Sequence, residues 1–276
     1  MILDKFSLEN KTALITGAAG LLGKEHAIAL LEVGARVILT DVDLIGLERL
    51  SNELKKEYSK SVIIEYQLDV TNEQNIVKIK ELLKQKKISL DILINNAALD
   101  PKVDDDSNKS LSRLENFELA QWKDELDVGL TGPFLCSKIF GDYMFGNKTG
   151  GVILNISSDL SVFSPDQRIY KVEGLEESLQ PVKPITYSVI KSGLIGMTRY
   201  LATYWPKSII RVNAISPGGV FNNHDESFVK KLSSLIPMGR MASKEEYRSA
   251  VQFLCSDASS YVNGQNIIID GGRSVW

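Results

Sequence analysis

Apolar positions along this chain fall into two alternating patterns. Short runs rich in Val, Ile and Leu occur at Thr12 to Thr16, Arg36 to Thr40, Val62 to Leu68, Leu90 to Ile94, Val152 to Ile156, Ile209 to Ile215 and Asn266 to Ile269. Most are nearly continuous, the pattern of parallel strands covered on both faces. Between them, stretches such as Leu21 to Val33, Leu44 to Tyr58 and Glu73 to Lys86 carry apolar residues at helical spacing. Strand–helix alternation repeated this often predicts an α/β fold, with a doubly wound parallel sheet of about seven strands in three α/β/α layers. No internal repeat or low-complexity linker divides the chain, so residues 1–276 read as a single domain.

Three segments break the rhythm. Residues 100–112 are polar and include Asp104-Asp105-Asp106, and residues 159–186 hold Pro165, Pro181 and Pro184 among many charges. Residues 219–237 follow Pro217-Gly218 and read as a hinged lid. Long connections in compact domains are usually functional, so all three are expected to cover a substrate.

Two strand ends carry candidate chemistry. The first predicted strand runs into Thr16-Gly17-Ala18-Ala19-Gly20-Leu21-Leu22-Gly23 and a helix follows. A glycine-rich strand-to-helix turn lets backbone approach a pyrophosphate, and the helix N-terminus offers free N–H groups and a positive dipole end. The second strand ends at Asp41, where a carboxylate can accept hydrogen bonds from both adenosine ribose hydroxyls and repel a 2′-phosphate. No Lys or Arg lies in the turn or directly after Asp41, which favours NAD over NADP. Asp69 could meet the adenine amino group. Asn95 and Asn96, ahead of Ala97 and Ala98, either knit neighbouring strands or line the cofactor channel. Farther along, Tyr187 and Lys191 are four residues apart and share a helix face. A nearby ammonium favours phenolate, which makes Tyr187 a candidate general acid/base.

Composition removes other readings. Thirty-two basic residues against 35 acidic ones give a net charge of −3, so no broad attraction to nucleic acid or to an anionic membrane is expected. Cys136 and Cys255 are the only cysteines and His26 and His224 the only histidines. No disulfide framework or metal site is expected from so few ligands. The N-terminal residues lack an apolar run of signal length, and no apolar stretch is long enough to span a bilayer. A cytoplasmic setting is the expectation.

Taken in order, TGAAGLLG, Asp41, Leu68-Asp69-Val70, NNAA, Ile156-Ser157-Ser158, YSVIK, Asn213-Ala214-Ile215-Ser216-Pro217-Gly218 and Asp270-Gly271-Gly272 resemble the short-chain dehydrogenase/reductase family, in its shorter subtype, over nearly the whole chain. The resemblance implies a Rossmann-type sheet and hydride transfer between a nicotinamide and a secondary alcohol or ketone. It casts Tyr187 as proton donor or acceptor, Lys191 as holder of the nicotinamide ribose and Ser158 as partner of the reacting oxygen. Gly17, Gly20, Leu22, Gly23, Asp41, Asp69, Val70, Asn95 and Ala97 would then line the cofactor. Pro217, Gly218 and Val220 would lie against its nicotinamide. A homotetramer or homodimer is implied, through helices carrying Phe134, Phe140, Met144, Leu194, Met197 and Tyr200.

The chain departs from this pattern in three places. Leu21 stands where shorter members have glycine, giving the TGxxGxxG spacing of larger relatives. Gly129 stands where the family usually has a catalytic Asn that helps hold a water behind the lysine, so a different water path or slower proton exchange is expected. The interval between Ser158 and Tyr187 is unusually long and contains Asp166, Arg168, Tyr170, Lys171 and Lys183, which suits a polar, even anionic, substrate such as a sugar derivative. TGAAGLLGKEHA, NNAALDPK and DVGLTGPF are further similar to bacterial oxidoreductases of the flagellin modification protein A type, associated with surface-sugar pathways. Two alternatives stand beside an NAD-dependent alcohol or sugar oxidoreductase. One is an epimerase or dehydratase that retains its NAD, supported by the Leu21 spacing. The other is a non-catalytic NAD-binding regulator, motivated by Gly129.

Overall fold

The computed structural model describes residues 2–99, 111–146, 150–205 and 210–276. Seven strands form one parallel sheet: β1 (Thr12–Thr16), β2 (Arg36–Asp41), β3 (Ile63–Gln67), β4 (Ile92–Asn95), β5 (Gly151–Ile156), β6 (Ile210–Pro217) and β7 (Asn266–Ile269). Their spatial order is β3-β2-β1-β4-β5-β6-β7. The principal helices are α1 (Leu21–Glu32), α2 (Leu44–Glu57), α3 (Glu73–Gln85), α4 (Leu119–Leu126), α5 (Gly132–Gly146), α6 (Ile185–Tyr204), α7 (Glu226–Ser233) and α8 (Arg248–Cys255). None of the described helices is long and apolar enough to cross a membrane.

Successive strand residues point to opposite faces of a sheet. Ala13 and Ile15 therefore join apolar residues of α1, α2 and α8 in one core, such as Leu30, Leu47 and Val251. Leu14, between them, joins α3 and α5 in the other, with Ile76 and Phe140. Burial on both faces is the physical reason that the strand runs are continuous in the sequence. β1 pairs with β2 on one side, Leu14 opposite Ile38, and with β4 on the other, Leu14 opposite Leu93. The chain thus winds outward from β1 to β3, then returns to β4 and winds the other way. The gap where the direction reverses is where open α/β sheets bind ligands.

Side chains as well as backbone tie the centre of the sheet together. Asn95 Nδ2 donates to Ser137 Oγ at 3.0 Å and to Asn155 Oδ1 at 2.9 Å, while Asn155 Nδ2 donates to Thr198 Oγ1 at 2.8 Å. This buried network links β4 and β5 to α5 and α6.

Of the three interruptions, 100–112 lies outside the described residues apart from Leu111 and Ser112. The segment 159–186 is a succession of short turns braced from within. Gln180 Nε2 donates to the carbonyls of Val172 (2.9 Å) and Leu175 (2.6 Å), and Gln180 Oε1 accepts from Val172 N at 2.8 Å. The segment 219–237 contains α7 and is anchored by a parallel bridge between Val220 and Ala242. The two segments share a small core of their own, formed by Ile169 with Leu232 and Ile236 and with Met241 just beyond.

His26 of α1 is fully buried, and neither ring nitrogen has a hydrogen-bond partner among the described residues. Burial pushes its imidazole down to about 4, and the neighbouring Asn96 amide offsets only part of this. The unfolded chain binds this proton more readily than the folded one. The stabilisation is therefore complete above the ordinary histidine value and is lost as pH falls toward the folded value. We expect urea unfolding to show about 2 kcal/mol less stability from this group at pH 5 than at pH 7. A His26→Leu variant should lose that part of the pH slope.

Candidate active site

A cleft of about 900 Å³ opens along the C-terminal ends of the strands. Its inner wall is the turn between β1 and α1. Gly17 adopts a φ of +63°, and a Cβ there would sit 2.8 Å from the Ala97 Cα at the end of β4. A Cβ on Gly23 would lie 2.1 Å from the Gly17 carbonyl oxygen. These contacts hold the turn against the sheet and leave the start of α1 open. Its N-cap is Gly20, which makes no side-chain capping bond, and no acidic residue occupies the first turn. The N–H groups and positive helix end are thus available to a phosphate-bearing ligand.

Asp41 sits across this turn. Its Oδ2 accepts from Ala19 N at 2.9 Å and its Oδ1 from Asp43 N at 3.0 Å. A carboxylate has about four acceptor sites, so two N–H bonds fix its orientation and leave capacity for ribose hydroxyls. The cap of α2 is supplied by Asp43, which accepts from Gly46 N. Asp69 accepts from the N and Oγ1 of Thr71 at 2.9 and 2.7 Å and also lines the cleft, beside Val70. Gly17, Gly20, Leu22 and Ala97 line the same wall, while Gly23 packs behind it.

The two consecutive asparagines divide the roles that the sequence leaves open. Asn95 is 2% exposed and its amide belongs to the network within the sheet, away from the cleft. Asn96 faces the cleft, with Nδ2 donating to the Thr16 and Gly17 carbonyls at 3.1 and 2.9 Å. Asn96 is therefore the asparagine that steadies the glycine turn, while Asn95, expected to line the cofactor, does not reach the cleft.

At the other end, β5 delivers Ser157 and Ser158, and α6 delivers Tyr187 and Lys191. Lys191 is 7% exposed, and its Nζ donates to the Ile156 carbonyl at 3.0 Å. Ser157 Oγ donates back to the Lys191 carbonyl at 2.8 Å. These reciprocal bonds fix the register of α6 against β5. Two ammonium groups flank the Tyr187 ring, Lys183 Nζ at 3.8 Å and Lys191 Nζ at 5.7 Å from its centroid. Ser158, Tyr187, Lys191, Pro217, Gly218 and Val220 all line the cleft.

Ser158 Oγ donates to Asp159 Oδ1 at 2.9 Å and accepts from Leu160 N at 3.2 Å. Asp159 in turn meets Arg273 Nη1 at 3.2 Å, an ion pair whose side chains are only 4% and 8% exposed. Burial pushes the Asp159 carboxyl above its ordinary range, with the Arg273 guanidinium pulling the other way. Arg273 lies 4.9 Å from the Phe163 ring centroid. Neither Asp159 nor Arg273 was marked by a sequence motif, since 114 positions separate them.

The charges in the 159–186 segment sort themselves. Arg168 pairs with Asp166 at 2.7 Å, holding that carboxyl at about 2, and Lys171 pairs with Glu177 at 2.8 Å. Only Tyr170 and Lys183 of the five charged or aromatic residues marked there line the cleft. From 219–237, His224 faces the cleft and stacks on Phe228 with centroids 5.3 Å apart. Asp225 instead caps α7 through Ser227 N and Phe228 N.

A dinucleotide cradle at a sheet's switch point, facing a serine, a tyrosine and a lysine across one cleft, is the architecture of a nicotinamide-dependent oxidoreductase. The family model described as enoyl-(acyl carrier protein) reductase matches residues 17–274. The chain is 30% identical to an NAD-dependent glycerol dehydrogenase of Listeria innocua, covering 98% of this chain and 96% of that one. It is 32% identical to the 3-oxoacyl-[acyl-carrier-protein] reductase FabG of Thermotoga maritima, covering 96% and 98%. The crystal structure of a short-chain dehydrogenase from Leptospira borgpetersenii with bound NAD+ superposes with a TM-score of 0.80 at 32% identity, covering 98% and 94%. The chain belongs to the short-chain dehydrogenase/reductase family of oxidoreductases. Its relatives include enzymes named for NAD and others named for NADP.

Gly129 lies in a π-helical turn, Asp127–Thr131, between α4 and α5. A Cβ there would meet Ile190 Cγ2 at 2.7 Å. An asparagine cannot simply be restored. We expect Gly129→Asn to cost about 1–3 kcal/mol through overpacking, read as a lowered urea midpoint. Adding Ile190→Ala in the same chain should recover part of the loss.

Proposed function

We propose that this protein is an NAD-dependent oxidoreductase that transfers a hydride between nicotinamide and a secondary carbinol of a small, polar, polyhydroxylated substrate. The observation that carries the reading is the convergence of Ser158, Tyr187 and Lys191 on one cleft with the glycine cradle and Asp41. A sugar derivative suits the polar groups that reach the cleft, among them Ser158, Asp159, Lys183 and Arg273, and the motif-level resemblance to flagellin modification oxidoreductases favours surface-glycan synthesis as its setting. We further infer a dimer or tetramer in the cytoplasm. Phe134 on α5 and Tyr200 on α6 are 51% and 65% exposed, large aromatic area of the kind that subunit contacts cover.

The bound nicotinamide supplies the hydride chemistry. The chain's own groups orient the alcohol and move its proton. Ser158 Oγ turns its hydrogen from Asp159 to the reacting oxygen and stabilises charge developing there. Tyr187 takes the hydroxyl proton, and the ammonium groups of Lys183 and Lys191 stabilise the phenolate form that can do so. Lys191, fixed beside the cleft by its bond to the Ile156 carbonyl, would hold the cofactor ribose.

Asp41 favours NAD. Its carboxylate offers acceptors to ribose hydroxyls, and neither Val42 nor Asp43 can balance a 2′-phosphate. Asp41→Ala should raise the NAD KM about tenfold or more, since hydrogen bonds to a charged group contribute roughly 1.5–3 kcal/mol.

The decisive assay is NADH formation during incubation with NAD and a panel of polyols, aldonic acids and sugar phosphates. Stoichiometric NADH with at least one substrate is expected, and Tyr187→Phe should lower kcat by on the order of a hundredfold or more. Substrate conversion without net NADH would instead identify an epimerase or dehydratase that retains the cofactor. Tight NAD binding with no turnover of any substrate would identify a regulator.

A further inference from the structure

The Asp159–Arg273 pair is buried beside Ser158 and lines the cleft. A guanidinium carries five N–H donors. Among the described residues, the Arg273 side chain uses one, toward Asp159 Oδ2. Asp159 Oδ1 accepts from Ser158 Oγ and Leu160 N, whereas Oδ2, among the described residues, receives only Arg273. Here donors of Arg273 and an acceptor position of Asp159 Oδ2 lie together at the cleft wall, one bond from the serine that meets the reacting oxygen.

A hydroxyl both donates and accepts, so it satisfies both groups at once. It gives its hydrogen to Asp159 Oδ2 and takes one from Arg273. A carboxylate or phosphate would suit Arg273 alone and would face the Asp159 carboxyl beside it. We propose that Asp159 and Arg273 together recognise a hydroxyl on the carbon next to the reacting carbinol, so that the enzyme selects vicinal diols and forms α-hydroxy ketones. This rests on the oxidoreductase reading above and names its substrate class. In the reaction the carbinol C–H bond breaks and its hydride forms a C–H bond on the oxidised nicotinamide. The carbinol O–H bond breaks and its proton goes to Tyr187. The neighbouring hydroxyl is unchanged, and its bonds to Asp159 and Arg273 set which carbon reacts.

The proposal is tested with three alcohols of one carbon skeleton: butane-2,3-diol, butane-1,3-diol and butan-2-ol. With NAD in excess, parent kcat/KM should be greatest for butane-2,3-diol and lower for butan-2-ol by on the order of a hundredfold. Butane-1,3-diol, whose second hydroxyl is one carbon too far, should behave like the mono-alcohol. Arg273→Lys and Asp159→Asn should bring the 2,3-diol to mono-alcohol ratio down toward one, and NAD affinity measured by fluorescence titration shows whether each variant is folded. A loss of stability alone would lower all three rates in proportion and leave the ratio unchanged, which overturns the proposal. Where a variant fails to fold, the parent decides alone. Equal efficiency on butan-2-ol and butane-2,3-diol overturns the vicinal-diol assignment and leaves the oxidoreductase reading intact. Absence of NADH from every alcohol here and in the wider panel overturns both.

Discussion

The molecule turns on a backbone-to-backbone contact. Where β1 ends, Gly17 passes so close to Ala97 of the next segment that no side chain fits between them. The Asn96 amide then bonds to the Thr16 and Gly17 carbonyls. This approach brings the ends of β1 and β4 together at the point where the winding direction reverses. It fixes where α1 begins, and so which N–H groups face the cleft. It also brings the Asp41 strand end and the β5 serines to opposite ends of one groove.

The end of the cleft that holds Tyr187 depends on a second, local constraint. Lys191 and Ser157 each bond to the other's strand or helix backbone. A side chain that holds its own helix in place cannot wander, so the ammonium beside the Tyr187 ring is also a structural peg. Such dual use explains why a lysine tolerates near-complete burial, since its charge is met by a carbonyl dipole and faces a site built for polar ligands.

Much of this was legible in the sequence because it rests on local patterns. Strands buried on both faces must be continuous and apolar, and all seven expected strands form with only small shifts at their ends. The glycine turn, Asp41 and the Tyr187–Lys191 spacing are likewise short-range signals. What was not legible depends on facing and on long separations. Asn95 and Asn96 are adjacent, yet one points into the sheet's network and the other to the cleft, and composition carries no parity. Arg273 meets Asp159 across most of the chain's later half. The charges between Ser158 and Tyr187 looked like a substrate surface, but Asp166 with Arg168 and Lys171 with Glu177 neutralise each other within the segment. Gly129 read as a lost side chain, whereas Ile190 already fills the space an asparagine needs.

The two covering segments have a consequence of another kind. Ile169 on one and Leu232 and Ile236 on the other, with Met241 just beyond, form a miniature core separate from the two that hold the sheet. The segments are therefore coupled as a latch and cannot open independently without exposing those side chains to water. Opening then carries the heat-capacity signature of apolar hydration. Separating the two segments therefore has the temperature curvature of a small unfolding event, and cosolvents that solvate apolar groups lower its cost.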